Sequence, residues 1–243
     1  MNATVKYTIR RILARFGYGL HPMTFFPMGR LMKLFQTHGI NLLLDIGANS
    51  GQFAMNIQIY GYKGRIASFE PVQSAYNELS KNAARRPDWS VERMGISDEN
   101  GEMDINVSGA FTLSSSFAAM RSKHLELAPN TAYTSQETVV VKTVDNIFND
   151  YCGDGDRVFM KVDTQGYEAK VIRGAEKSLP RIAGVQMELS LEQMYEGEAL
   201  AHEMIGLMLG KGYRLVNIEE GMSDPRTGHL LQCDCVFFRE ELC

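Results

Sequence analysis

The sequence predicts an α/β protein in which a mostly parallel sheet is covered by helices on both faces. From residue 41 onward, short apolar runs typical of buried strands alternate with segments of helical period. The last two runs, YRLVNIE and LLQCDCVFF, are joined by a polar loop, which predicts a hairpin with one antiparallel strand. No linker rich in proline or glycine separates two cores, so we expect one domain over residues 41–243, preceded by an N-terminal helical extension over residues 1–40.

The individual elements follow from composition and from turn residues. NLLLDIG predicts a buried strand that enters a glycine turn, and Pro71 stops the strand predicted at RIASFE. Further strands are predicted at VERMGIS, MDINVS, VVVKTV, RVFMKVD and GVQMELS. Helices are predicted over 27–38, 51–60, 72–85, 168–178 and 198–210. Residues 109–136 are rich in Ser, Thr and Ala and have no clear period, which is typical of a functional loop.

Basic residues are concentrated near the N-terminus. Residues 1–44 contain no acidic residue but six basic ones: Lys6, Arg10, Arg11, Arg15, Arg30 and Lys33. Residues 3–16 predict an amphipathic helix. Its apolar residues fall within one arc of about 100°: Val5, Ile9, Ile12, Leu13 and Phe16. Two interpretations stay open: the helix packs on the acidic body of the protein, or it makes peripheral contact with an anionic membrane.

The whole chain has 243 residues and a formal net charge of −4, with a pI near 5.8, so it has no general basic character that would favour nucleic-acid binding. No stretch contains the roughly 18 apolar residues that a membrane crossing needs. The four cysteines form no CxxC pair and have no metal-ligand spacing. We therefore expect reduced thiols and a cytoplasmic location, with the inner face of the membrane as the alternative. No metal site is predicted.

The strongest local motif is a D-x-G-x-x-x-G turn between a strand and a helix, at residues 45–51. Gly47 permits the tight turn, and Gly51 would let the start of the helix approach a ligand. Glu70 closes the next strand, where an acid can accept both hydroxyls of a ribose. Asp45 stands where a dinucleotide motif has its first glycine, and an acid there repels a pyrophosphate but suits the cationic tail of S-adenosylmethionine. NAD binding and a purely structural turn remain the alternatives.

A second polar block lies at the carboxyl ends of two later strands. Lys161 and Asp163 share a strand face, and a lysine in such an apolar strand needs a charged partner. Glu188 ends the following strand, so Asp163 and Glu188 could form a carboxylate pair across one crevice. Such a pair can hold a substrate hydroxyl, remove its proton or bind a divalent cation. A purely structural ion pair is the alternative.

These blocks together resemble the FkbM-type S-adenosylmethionine-dependent methyltransferases. The resemblance covers residues 41–239 and depends on the order and spacing of several segments: LLLDIGANSGQFA, ASFEP, GISDENG, SSS at 114–116, VKTVDNI, FMKVDTQGYEAKVIRGAE, VQMELS and QCDCVFFR. It implies the class I methyltransferase fold, a Rossmann-like sheet of seven strands, mostly parallel, with an antiparallel last strand. Family members typically methylate oxygen, often a hydroxyl on a sugar or on a polyketide-derived molecule.

The resemblance also implies roles for individual residues. Asp45, Gly47, Asn49 and Gly51 would hold the methionine end of the cofactor and the backbone turn, and Glu70 would bind the ribose. Two residues after the third strand would contact the adenine: Ser97 and Asp98. Asp163 would border the transferable methyl group. Four residues are the expected acceptor contacts, with Tyr195 stacking on a sugar or serving only in packing: Ser115, Ser116, Gln165 and Tyr195.

The predicted function is S-adenosylmethionine-dependent O-methylation of a hydroxyl on a sugar, glycan or other small acceptor. Asp163 is the first candidate for the base or acceptor-orienting group, and Glu188 is the second. Mg²⁺ could replace a base, but no ligand motif calls for it. Two other classes remain open: a nucleotide-binding oxidoreductase, and a catalytically silent protein that binds the cofactor on the same fold.

Overall fold

The computed structural model describes residues 3–19, 22–109 and 114–243. Its centre is a seven-stranded sheet of order β3-β2-β1-β7-β8-β10-β9. In chain order its strands are β1 (Leu42–Ile46), β2 (Arg65–Phe69), β3 (Trp89–Glu92), β7 (Val158–Val162), β8 (Ile182–Ser190), β9 (Tyr213–Glu220) and β10 (Gln232–Arg239). Neighbours from β3 to β8 pair in parallel, whereas β10 is antiparallel to both β8 and β9. The predicted sheet and its reversed hairpin are therefore confirmed.

The middle strands are apolar because helices cover both of their faces. Every residue of β1 and β7 is buried, as expected for the centre of a parallel sheet. One face packs against α2 (Pro27–His38), α3 (Gln52–Ile59) and α4 (Gln73–Ala83). The other packs against α6 (Val144–Tyr151), α7 (Glu168–Arg173) and α8 (Ala201–Gly210).

A separate three-stranded sheet lies beyond the main one and was not predicted. It has the order β4-β6-β5, formed by β4 (Gly95–Ile96), β5 (Gly101–Ser108) and β6 (Tyr133–Lys142). The single strand predicted at VERMGIS is divided between β3 in the main sheet and β4 in this one. The segment 109–136, which lacked a period, contains α5 (Ser122–Leu127) and the start of β6. Val72 and Ala75 of the α4 region pack against Ile105 and Val139 of the second sheet, which attaches it to the domain.

Two helices occupy the N-terminal extension, and they differ in how they contact the domain. Helix α2 begins at Pro27 and ends at His38, and the next residue, Gly39, is its left-handed C-cap with a φ of +66°. Its Leu31, Met32 and Phe35 belong to the core, and Arg30 forms a two-pronged ion pair with Glu219 of β9. Helix α1 (Ala3–Arg15) contributes no described side chain to the core. In the described segments, every helix falls short of the length and apolar content of a membrane span.

Candidate active site

The carboxyl ends of β1, β2 and β7 border an open-sided pocket, called here the β1–β2 cavity, whose empty space of about 530 Å³ includes its solvent-facing mouth. Much of its wall is apolar and includes residues of the main sheet, of the second sheet and of the loop before α5: Ile46, Phe69, Met94, Ile96, Ile105 and Phe117. Thr164 adds one polar side chain, and five sequence-predicted site residues provide the others: Asn49, Glu70, Ser115, Asp163 and Gln165. A lining of this kind suits a ligand that combines a flat, largely apolar ring with a few hydroxyls.

A second depression, the β7–β8 cleft, adjoins this cavity and has an open volume of about 740 Å³. Gly47, Asn49 and Asp163 line both spaces, so they stand at the junction. The rest of the cleft is more polar, with Phe53 as its main apolar side chain. Its polar side chains are Asn49, Gln52, Asn56, Lys161, Asp163, Gln186, Glu188 and Asp234.

Glu70 follows the last residue of β2, and two backbone groups fix its carboxylate. The N–H of Asn49 donates to Oε2 at 2.8 Å, and the N–H of Val72 donates to Oε1 at 2.9 Å. Burial raises the pKa of Glu70 to about 7, although these two donors act in the opposite direction. The carboxylate is therefore held rigidly at the rim of the β1–β2 cavity, with oxygen lone pairs left to accept hydroxyl protons.

The glycine turn brings the ends of β1 and β7 into contact. Gly47 has a φ of +73°, and a Cβ there would lie 1.9 Å from the carbonyl oxygen of Asp163, so no side chain fits. Gly51, with a φ of +87°, faces the core instead, because a Cβ there would lie 2.8 Å from the Trp89 ring. Packing against Trp89 is therefore one reason for a glycine at this position, and its approach to a ligand stays a prediction.

Asp45 lies under the turn, inside the sheet, and lines neither space. It pairs in register with Ser68 of β2 and Lys161 of β7. Ser68 donates to its Oδ2 at 3.1 Å, and the Lys161 Nζ lies 4.0 Å from its Oδ1. Burial raises the pKa of Asp45, and the Lys161 charge counteracts part of this increase. The structure directs this carboxylate toward its sheet neighbours, so its predicted contact with a cofactor tail has no geometric support.

Lys161 connects the buried acid to the site. Its Nζ donates to Asp163 Oδ2 at 3.0 Å, so the predicted ion pair on one strand face is present. Burial alone would lower the pKa of Lys161, but the charges of Asp163 and Asp45 outweigh it and raise the pKa. The lysine therefore stays charged and holds Asp163 at the junction of the two spaces.

Gln165 joins the predicted carboxylate pair. Its Nε2 donates to Asp163 Oδ1 and to Glu188 Oε2, both at 2.7 Å. Burial raises the pKa of Glu188 well above its ordinary value, and the charges of Asp163 and Asp234 raise it further. Glu188 is therefore favoured in its neutral form, which can donate a hydrogen bond.

The other predicted acceptor contacts hold Gln165 in place. The Tyr195 hydroxyl donates to Gln165 Oε1 at 2.7 Å, and the Ser116 hydroxyl donates to its carbonyl at 2.7 Å. Tyr195 is completely buried, so it has no free face for the predicted stacking on a sugar, and the packing alternative applies. Ser116 is also buried, and its neighbour Ser115 lines the β1–β2 cavity. The part of this loop at 110–113 lies outside the described residues.

Ser97 and Asp98 were predicted to contact adenine, but neither residue lines the β1–β2 cavity. Asp98 pairs with Lys170 and Arg173 of α7, and the Ser97 hydroxyl donates to Asp98. Met94, Gly95 and Ile96 line the cavity in their place. The apolar run before Ser97 could have identified Met94 and Ile96 as cavity residues. No sequence pattern identified Phe117, which lines the cavity from the loop before α5.

Glu168 is a further site residue that sequence reasoning missed. Its Oε1 accepts from the backbone N–H and the hydroxyl of Thr164 and from the N–H of Gly166. These bonds close the loop that carries Gln165 in a left-handed conformation, with a φ of +56°. Burial raises the pKa of Glu168 to about 7. In the described parts of the chain, no three His, Cys, Asp or Glu side chains are grouped as metal ligands.

The chain is similar to known proteins in sequence and in fold. 2-O-methyltransferase NoeI of Sinorhizobium fredii (strain NBRC 101917 / NGR234) is 25% identical over 178 residues, which cover 69% of this chain and 70% of the relative. 31-O-demethyl-FK506 methyltransferase FkbM of Streptomyces tacrolimicus is 27% identical over 211 residues, which cover 76% and 78%.

The fold is also found in a solved structure, methyltransferase FkbM from Methylobacillus flagellatus KT, with a TM-score of 0.50 and 13% identity. The match covers 82% of this chain and 43% of that one, so the present chain spans less than half of its length. At this identity the likeness concerns the fold alone, and it agrees with the class I methyltransferase architecture. The family model for the methyltransferase FkbM domain matches residues 45–215, from Asp45 through β7 and β8 to β9. The chain belongs to the FkbM methyltransferase family.

Proposed function

We propose that this protein is an S-adenosylmethionine-dependent O-methyltransferase that acts on a hydroxyl of a sugar, a glycan or another small natural-product-like acceptor. Family membership favours methyl transfer over the hydride transfer of the oxidoreductase alternative. The names of the two relatives describe O-methylation, which supports oxygen as the acceptor atom. The observation that carries the proposal is the junction of a largely apolar cavity with a polar cleft at Asp163.

The side chains that line the β1–β2 cavity suit the nucleoside part of S-adenosylmethionine. Apolar side chains such as Met94, Ile96 and Phe117 provide faces for an adenine ring. Glu70, fixed by two backbone donors, presents carboxylate oxygens to ribose hydroxyls. When bound, the cofactor supplies a methyl group on a positively charged sulfur. The chain's own contribution is to hold that group near Asp163 and to exclude water from the apolar wall.

The β7–β8 cleft suits a hydroxylated acceptor. Its amides and carboxylates offer donors and acceptors around Asp163, including Asn56 and Gln186. Asp163 is the group that takes the hydroxyl proton or orients the hydroxyl. Lys161 and Gln165 donate to its two different oxygens, which fixes the direction in which the remaining lone pairs point. Neutral Glu188 can donate to a second acceptor oxygen.

The proposal is tested by measuring S-adenosylhomocysteine release from S-adenosylmethionine in the presence of a panel of sugars, glycans and hydroxylated macrolides. We expect acceptor-dependent release by the wild-type chain, because proximity and a positioned base both contribute to the rate. Asp163→Asn keeps the shape and loses the base, so turnover should fall by roughly 100-fold or more, while S-adenosylhomocysteine affinity changes little. Normal turnover by this variant would remove Asp163 from the mechanism. Cofactor binding without turnover on any acceptor would support the silent alternative.

A further inference from the structure

Helix α1 carries an apolar stripe, most of which stays exposed among the residues that the structure describes. Val5 is 47% exposed and Ile12 is 51% exposed, and Phe16, directly after the helix, is 73% exposed. Ile9 and Leu13, on the same arc, are half-buried, and no described side chain between residues 7 and 15 is buried. A stripe of this size next to solvent marks a contact surface, because single scattered apolar residues are common but aligned ones are not.

Positive charge surrounds this stripe. At about 100° per residue, Arg10 and Arg15 lie on opposite flanks of the stripe and Arg11 lies on the face behind it. Arg11 and Arg15 are exposed. The sequence has no acidic residue before Asp45, so this segment carries only positive side-chain charges. The helix therefore combines an apolar face with a cationic one.

We propose that α1 lies in the headgroup region of a bilayer that contains anionic lipids. Its apolar stripe would enter the boundary with the acyl chains, and its arginines would extend toward the lipid phosphates. The charge complementarity is direct, since each basic side chain near an anionic surface adds to the attraction. This proposal concerns α1 alone and does not depend on the chemistry of the cavity.

Two other occupants of the stripe fit the observations less well. The acidic body of the protein would cover the stripe if it were the partner, yet Val5, Ile12 and Phe16 are exposed. In a second copy, stripe-to-stripe pairing would bring two identical cationic segments together without an acidic residue in either of them. An anionic bilayer alone meets both the apolar and the cationic requirement.

The test is co-sedimentation of the full chain with vesicles of phosphatidylcholine, and with vesicles in which about a third of the lipid is phosphatidylglycerol. We expect at least tenfold stronger partitioning to the anionic vesicles at low salt, and a decrease as salt is added. Arg11→Glu combined with Arg15→Glu should remove most of this difference. Ile12→Asp should weaken binding to a similar degree, because it interrupts the stripe.

A matched control carries the same charge change elsewhere. Arg85→Glu combined with Arg86→Glu reverses two exposed charges just beyond α4 and should leave partitioning within about twofold of the wild type. Equal partitioning to both kinds of vesicle, or equal loss in the control, would overturn the proposal. A dimer that forms in solution and is abolished by Ile12→Asp, without vesicle binding, would assign the stripe to a second copy and would also overturn it.

Discussion

Gln165 occupies the centre of the candidate site, and each of its hydrogen-bonding groups has a defined task. Its amide nitrogen bridges Asp163 and Glu188, while hydroxyls of Tyr195 and Ser116 fix its two oxygens. The residue also adopts a left-handed backbone conformation with a φ of +56°, which is unfavourable for a residue with a side chain. A network that holds a strained residue in place is typical of a site where orientation matters.

Gln165→Glu would replace the bridging donor with a third carboxylate. We expect turnover to fall roughly 10- to 100-fold because Asp163 loses its orientation, while S-adenosylhomocysteine affinity changes little. Because the added charge disfavours ionisation of its neighbours, the acidic limb of the pH–rate profile should move to higher pH. Tyr195→Phe should produce a smaller loss without that movement.

The control for this prediction is Gln36→Glu on the exposed side of α2, which makes the same chemical change at a residue that lines neither the cavity nor the cleft. Its pH–rate profile should match that of the wild type. An unchanged profile in Gln165→Glu would argue against a positioning role and would leave Gln165 with a structural one.

The buried carboxyl of Glu70 predicts a pH-dependent stability. Its pKa is about 7 in the folded protein and about 4.5 ordinarily, so between these values the unfolded chain is ionised while the folded one is not. Below pH 4.5 Glu70 is neutral in both states and does not lower the free energy of unfolding. As pH rises from 4.5 to 7, the unfolded chain ionises first, so Glu70 lowers the free energy of unfolding more and more. Glu70→Gln should gain stability relative to the wild type over this window, by up to about 3 kcal/mol. Urea unfolding at pH 4.5, 6 and 8 measures the difference, and a constant difference would contradict the assignment.

At the level of the elements, local sequence signals identified most of the strands but not their partners. The glycine after β1 and Pro71 after β2 are local signals, and both strand ends lie where they were predicted. Helix α6 was not predicted, although Thr143 caps it by accepting from the N–H of Asn146. The second sheet depends on pairing between β5 and β6, which are separated by a loop without a period, so a local pattern could not reveal it.

Gly47 should be sensitive to substitution because the loop after β1 contacts the loop after β7 at this residue. A Cβ at Gly47 would collide with the backbone of Asp163, so Gly47→Ala should push β1 and β7 apart at their carboxyl ends. Gly228 has nearly the same φ, +74° against +73°, with no atom within 4 Å of an added Cβ. We expect Gly228→Ala to lower the free energy of unfolding by about 1 kcal/mol, from backbone strain alone. Gly47→Ala should lower the free energy of unfolding by about 3 kcal/mol or more, because the collision adds to the strain.

Urea unfolding of the two glycine variants provides the comparison, because the strain is matched and only the collision differs. Equal losses of stability would mean that the loops separate at little cost. The contact between the two strand ends would then not be a rigid feature of the site.

On the scale of the whole molecule, the sheet order determines which residues meet. Adjacent β1, β2 and β7 bring Gly47, Glu70 and Asp163 to one edge, as the sequence predicted from the behaviour of parallel strands. Three features could not be predicted because they depend on distant chain segments: the burial of Tyr195, the absence of Ser97 and Asp98 from the cavity lining, and the presence of Phe117 in it.

The most direct test of the account is calorimetric titration of the full chain with S-adenosylhomocysteine and, separately, with NAD. We predict roughly micromolar affinity for S-adenosylhomocysteine, no binding of NAD, and at least a tenfold loss of S-adenosylhomocysteine affinity in Glu70→Gln because a ribose contact is weakened. Absence of S-adenosylhomocysteine binding, or equal affinity in the wild type and in Glu70→Gln, would contradict the assignment of the β1–β2 cavity to the cofactor.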